Sequence, residues 1–148
     1  MTRSLCAMTL AFAVSIGAGL PASDALKAVV GSYLDIQAQL AADKIDAVKP
    51  AAQAIARQAA RMGSGGEAIV KASKAIEQAA DLNAARAAFG DLSDAVIAEG
   101  TAEGWKDVPD IRIAYCPMVK KSWVQKEETV RNPYYGTAML TCGAFRTK

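Results

Sequence analysis

The 148-residue sequence contains no histidine. Histidine is the commonest general base in enzymes and the commonest metal ligand, so any chemistry here has to be done without an imidazole. The sequence also lacks a Cys-x-x-Cys pair, which disfavours a disulfide oxidoreductase. No convincing pair of a nucleophile and a base remains, so we do not expect an enzyme.

Long runs of charge of one sign are absent as well. Lysine and arginine total 17, and aspartate and glutamate total 15, which leaves a formal net charge of +2. This balance leaves no cluster of basic residues of the kind that binds nucleic-acid phosphates, so we expect no nucleic-acid partner. The chain is long enough for one domain and too short for two comfortable ones.

The beginning of the chain has the pattern of an export signal. Arg3 precedes an uncharged, mostly apolar stretch from Leu5 to Leu20, which is followed by Pro21 and small residues. The stretch is shorter than the roughly 20 apolar residues of a membrane span. We predict a signal peptide over residues 1–22, a periplasmic mature protein and no stable membrane insertion after cleavage. An uncleaved N-terminal anchor is the alternative.

The residues after the signal show the periodicity of amphipathic helices. We predict an all-α fold, an up-down-up-down bundle of four helices over residues 23–104, with a kink or a late helix start at Pro50. Turns are expected at 63–66 and 81–83. The apolar stripes consist of Leu26, Val29, Val30, Tyr33, Leu34, Gln37 and Leu40; Ile45, Val48, Ala52, Ile55, Ala59 and Met62; Ile69, Ala72, Ile76 and Ala79; and Leu82, Ala85, Phe89, Leu92 and Val96.

The last part of the chain, residues 105–148, has a different character. Ile111, Ile113 and Tyr115 alternate with Arg112 and Ala114, a strand-like or extended pattern. Both tryptophans of the sequence lie in this segment as well. Its apolar content is sufficient for packing, so we predict an extended tail that packs on the bundle within the same single domain.

Two sulfur-bearing motifs occur in this tail, Cys116-Pro117-Met118 and Met139-Leu140-Thr141-Cys142-Gly143. On a short helical turn Met139 and Cys142 would share a face, because they are three residues apart. If the tail folds back, two thiolates and two thioethers converge, and such soft donors favour monovalent copper over hard cations. Cys116, Met118, Met139 and Cys142 are therefore candidate metal ligands.

A disulfide between Cys116 and Cys142 is the alternative. Cys6 leaves with the predicted signal peptide, and an even pair of cysteines in an oxidising compartment suggests a disulfide. The bond would close a loop of about 27 residues and stabilise the protein by roughly 3 to 4 kcal/mol. Met118 and Met139 would then be gap-filling residues beneath the tail. The two interpretations combine if the reduced form of the pair binds the metal.

Several strings of the sequence are shared with a known pattern. They are Tyr115-Cys116-Pro117-Met118, Trp123, Arg131-Asn132-Pro133-Tyr134-Tyr135-Gly136 and Met139-Leu140-Thr141-Cys142-Gly143 in the tail, and Tyr33-Leu34, Ile36, Asp81-Leu82, Arg86, Phe89 and Leu92-Ser93 in the helices. Together they resemble the bacterial family catalogued as domain of unknown function 3347. The resemblance implies an exported protein, or a module of a periplasmic component of heavy-metal efflux, and copper or related metal handling.

The Cys-Pro-Met string also resembles the heavy-metal-binding segment of copper-efflux adaptor proteins, although Val119-Lys120 stands where that segment continues with His-Pro. We therefore expect an exported accessory protein that binds a soft heavy metal such as copper(I) and works with a periplasmic metal-efflux component. The alternative function is a disulfide-stapled structural or interaction module that binds no metal and docks on a periplasmic partner.

Overall fold

The computed structural model describes residues 22–146 of the chain. The predicted signal peptide, apart from Ala22, and Cys6 lie outside the described residues. Within that range no helix combines the length and the apolar character that a membrane crossing requires.

Four α-helices make up the first part of the described chain. Each helix packs on the next one in sequence. The predicted apolar stripes are buried, except that four of the predicted positions (Leu34, Ile45, Met62 and Leu82) are only half-buried. The helices are α1 (Ala22–Ala41), α2 (Val48–Ala59), α3 (Glu67–Glu77) and α4 (Leu82–Glu103), and a short 3-10 helix over Gly63–Gly66 precedes α3.

Local residues account for where these helices begin and end. Pro50 lies in the first turn of α2, where its missing N–H has no partner within the helix, so it marks a late start and not a kink. The Asp81 side chain caps α4 by accepting a hydrogen bond from the Ala84 N–H at 2.8 Å. Gly104 ends α4 with the left-handed conformation typical of a helix C-terminus, φ 72°.

The prediction of an all-α fold is wrong, because the tail forms a three-stranded antiparallel sheet and the protein is of mixed α/β class. Its strands are β1 (Arg112–Cys116), β2 (Lys121–Gln125) and β3 (Ala144–Phe145), in the order β2-β1-β3. The alternating pattern of β1 was visible in the sequence. The pattern of β2 was not, because it buries three successive side chains, and β3 is only two residues long.

The central strand β1 sets the register of the sheet. Ala114 lies opposite Trp123 on one side and opposite Phe145 on the other. The Arg146 N–H extends the pairing with β3 by donating to the Ile113 carbonyl at 2.8 Å. Residues 144–146 are thereby held alongside the strand that ends at Cys116.

Strand β2 docks the sheet onto α4 and α1. The central contact is the Tyr33 hydroxyl, which shares a 2.7 Å hydrogen bond with Ser93 Oγ and accepts the Val124 N–H at 3.1 Å. Tyr33 is fully buried, and burial raises its pKa well above the ordinary value, so the hydroxyl is neutral. Its ring stacks on Phe89 with centroids 4.9 Å apart. One apolar core therefore includes helices and sheet.

Replacement of Tyr33 by phenylalanine tests this junction. The substitution keeps the ring but leaves the Ser93 hydroxyl and the Val124 N–H without their partner in the core. We expect the free energy of unfolding to fall by about 1 to 3 kcal/mol, with an unchanged denaturant slope in urea unfolding. Tyr115→Phe is the matched control, since the half-buried Tyr115 hydroxyl makes no side-chain hydrogen bond in the described structure, and we expect a change within about 0.5 kcal/mol. Equal losses in both variants would contradict the assigned role.

Candidate functional site

The two cysteine side chains of the tail lie against each other. Cys116 ends β1 and is fully buried, whereas Cys142 lies two residues before β3 and is half-buried. The antiparallel register, which pairs Tyr115 with Ala144, brings these two positions together. Both cysteines are free, and the Cys116 thiol is close enough to Cys142 to raise the pKa of its thiol. Two of the four candidate ligands are thus brought together by the sheet.

The surroundings of Cys142 favour its protonated form. Partial burial raises the pKa of the Cys142 thiol, and the neighbouring Cys116 thiol raises it further through its charge and the hydrogen bond between them. A metal ion binds thiolates, so an ion that enters this pair has to displace protons from the sulfur atoms.

The two candidate methionines lie at the surface. Met118, in the turn between β1 and β2, is 61% exposed, and Met139, the last residue of a 3-10 helix over Gly136–Met139, is 39% exposed. They are therefore not buried beneath the tail, as the disulfide interpretation expected. The Cys142 N–H donates to the Met139 carbonyl at 3.0 Å, so a tight turn joins this thioether-bearing residue to the thiol pair.

The donor set fits a soft metal better than a hard one. No cluster of three or more histidine, cysteine, aspartate or glutamate side chains suited to a metal ion occurs in the part of the chain that the structure describes. Any site in this region therefore depends on the two thiols, with Met118 two residues after Cys116 and Met139 three residues before Cys142. Thiolates and thioethers together select monovalent copper over cations that prefer oxygen.

The ion pair of Arg86 and Asp43 with its hydrogen bonds, here called the clasp, holds the loop that carries Met139 and Cys142. Arg86 on α4 donates to the Pro133 carbonyl at 3.0 Å and, through Nη2, to the Leu40 carbonyl at 2.8 Å and Asp43 Oδ1 at 2.5 Å. Asp43 also accepts hydrogen bonds from the backbone N–H and the hydroxyl of Thr137. The clasp therefore ties α1, α4 and the loop to one another.

Buried amide side chains hold the preceding segment. Gln125 Oε1 accepts the Trp123 indole N–H at 2.9 Å and the Arg131 N–H at 3.0 Å, while its Nε2 donates to the carbonyls of Glu127 and Thr129. Gln37 on α1 donates to the Arg131 carbonyl at 2.7 Å. Sequence reasoning missed these roles. The one available signal was a glutamine, Gln37, within an otherwise apolar helical stripe.

Comparisons of the chain with family models, with curated proteins and with solved structures found no match. The resemblance to the domain of unknown function 3347 therefore stays a prediction.

Substitution of Asp43 by asparagine tests the clasp through its pH dependence. Hydrogen bonds from Thr137 and Arg86 lower the pKa of Asp43 to about 2, so the charged form stabilises the folded protein. This contribution is complete above the unfolded carboxyl pKa of about 4, and it is lost as the pH falls towards the folded value. Asparagine tolerates the positive φ of 57° at this position.

We expect the urea midpoint of the wild type to fall between about pH 5 and pH 2, and the Asp43→Asn variant to lack the part of this fall that Asp43 causes. Asp46→Asn is the matched control, because Asp46 is an exposed carboxylate of the same connection without an ion pair in the described part of the chain. Parallel pH profiles for wild type and Asp43→Asn would show that the clasp does not stabilise the fold.

Proposed function

We propose that this chain is an exported accessory protein that, in its reduced form, binds one soft monovalent metal ion such as copper(I) and serves metal efflux or resistance together with a periplasmic efflux component. The observation that supports the proposal is the proximity of Cys116 and Cys142, which the pairing of β1 with β3 brings to neighbouring positions. A pair of neighbouring free thiols in a chain without histidine is a soft-metal donor set.

The binding step is a proton exchange at the two sulfur atoms. Each thiol loses its proton, each sulfur forms a bond to the metal ion, and two protons go to solvent. Monovalent copper accepts low coordination numbers, so the thiolate pair is a sufficient core for the site. Cys116 has no exposed surface, so the ion has to approach from the side of the half-buried Cys142.

The exposed thioethers extend this donor set. Met118 and Met139 need not lose a proton to coordinate a metal, and both are accessible from solvent. We propose that they make the first contacts with an incoming ion and contribute weaker bonds once the thiolates have closed on it.

A disulfide-stapled module without metal is the second candidate, and the same proximity of the two cysteines favours it. Exchange with an external disulfide, which takes up the two electrons and two protons and leaves as two thiols, would join β1 to the segment before β3. Because β3 is only two residues long, such a bond would secure the end of the sheet. The oxidised pair has no thiolate to offer a metal, so the two candidates describe different redox states of the same residues.

Competition with a copper(I)-selective chelator tests metal binding. We expect the reduced wild type to remove one equivalent of copper(I) from the chelator, and Cys116→Ala or Cys142→Ala to weaken binding by at least about a hundredfold, because a copper–thiolate bond is lost. Met118→Leu and Met139→Leu should each weaken it by a smaller factor. Met62→Leu is the matched control, since Met62 lies between α2 and α3, away from the sheet. A reduced wild type that takes no copper would contradict the proposal.

A thiol count on denatured, unreduced protein separates the two candidates. Protein recovered from the periplasm of the producing bacterium is measured by intact mass, which establishes whether residues 1–22, with Cys6, are still attached. For a chain without them, we expect a count of zero if the staple forms and of two if it does not. A count of two rejects the staple, and an intact signal segment in the purified protein contradicts the proposed cleavage.

A further inference from the structure

Asn132 stands at the start of the loop that leads to Cys142, and its side chain is fully buried. Its Nδ2 donates to the Cys142 carbonyl at 2.7 Å, and its own backbone N–H donates to the Leu140 carbonyl at 2.7 Å. Its Oδ1 accepts the Tyr134 N–H at 2.8 Å. Asn132 therefore holds the backbone at two points of the segment that carries Cys142, and it also stabilises the turn that leads to Tyr134.

We propose that Asn132 is a positioning residue, which holds the Cys142 thiol against the Cys116 thiol. Cys116 is placed by its pairing with Lys121 in the sheet. Cys142 belongs to no strand. If the backbone around its carbonyl were released, its side chain would be free to turn away from Cys116. The Asn132 amide supplies the side-chain hydrogen bond to that carbonyl.

The backbone on both sides of Asn132 is itself held in place by hydrogen bonds. On one side, the neighbouring Arg131 is held at its N–H by Gln125 and at its carbonyl by Gln37. On the other side, the Pro133 carbonyl accepts a hydrogen bond from Arg86. Side chains of β2, α1 and α4 therefore fix the backbone on both sides of Asn132, and Asn132 in turn fixes the backbone at Cys142.

This role of Asn132 concerns the Cys116–Cys142 pair and rests on the proposed function. A less constrained Cys142 lowers the effective concentration of one thiol at the other, and this weakens both closure on a metal ion and formation of the disulfide. The second reaction can be measured without metal: two protein thiols and one glutathione disulfide give one protein disulfide and two molecules of glutathione.

Asn132→Ser and Asn132→Asp test the proposal in this exchange with glutathione. Both variants keep an oxygen that can accept the Tyr134 N–H, and both lose the amide NH2 group that donates to the Cys142 carbonyl. We expect the equilibrium constant for the Cys116–Cys142 disulfide to fall by roughly three- to tenfold in each. Ile76→Val in α3 is the control for a general loss of stability, and we expect it to stay within about twofold of the wild type.

The outcomes are decisive in each direction. Equilibrium constants of both variants within twofold of the wild type overturn the proposal, as does an equal fall in Ile76→Val. If Asn132→Asp does not fold because of its buried charge, Asn132→Ser decides the question. Unfolding of both variants, or a wild type that forms no internal disulfide, also overturns it. Failure of the wild type to bind copper contradicts the proposed function alone, because the glutathione exchange contains no metal.

Discussion

The backbone of β1 has to be hydrogen-bonded on both of its edges, and the position of the candidate site depends on this requirement. A buried N–H or carbonyl group without a partner is costly, so a central strand needs a neighbour on each side. β2 supplies one neighbour directly after a short turn, and β3 supplies the other after a long connection. The returning segment brings Cys142 beside Cys116, and the sulfur pair is a consequence of sheet completion.

Polar side chains order most of the long connection that returns to β1, in which the 3-10 helix over Gly136–Met139 is short. Gln37, Gln125 and Asn132 are fully buried amides, and each makes hydrogen bonds to backbone groups of that connection. Such a network is stabilising only when every member has its partner, which makes it specific for one loop conformation. The Arg86–Asp43 ion pair performs the same task at the surface end of the loop.

The thiol pair unites the two interpretations of the tail that the sequence left open. A disulfide joins its two sulfur atoms at about 2.0 Å, whereas a metal ion bound between two thiolates holds them farther apart, but both products require two cysteines that lie close together. The proposed function and its alternative therefore correspond to different redox states of one pair of cysteines.

The residue pattern by itself determined the four helices, because an amphipathic helix is a local structure whose apolar stripe, caps and breakers, such as Asp81 and Gly104, all lie within a few turns. It located the two cysteines and two methionines of the tail as well. Only the tertiary structure decided the fold class and the arrangement of those four residues. The successive burial of Trp123, Val124 and Gln125 hides the strand period, and a two-residue strand has no pattern of its own. The contacts that join Arg86 to Asp43 and Asn132 to Cys142 are set by packing between distant segments, for which spacing in the sequence contains no signal.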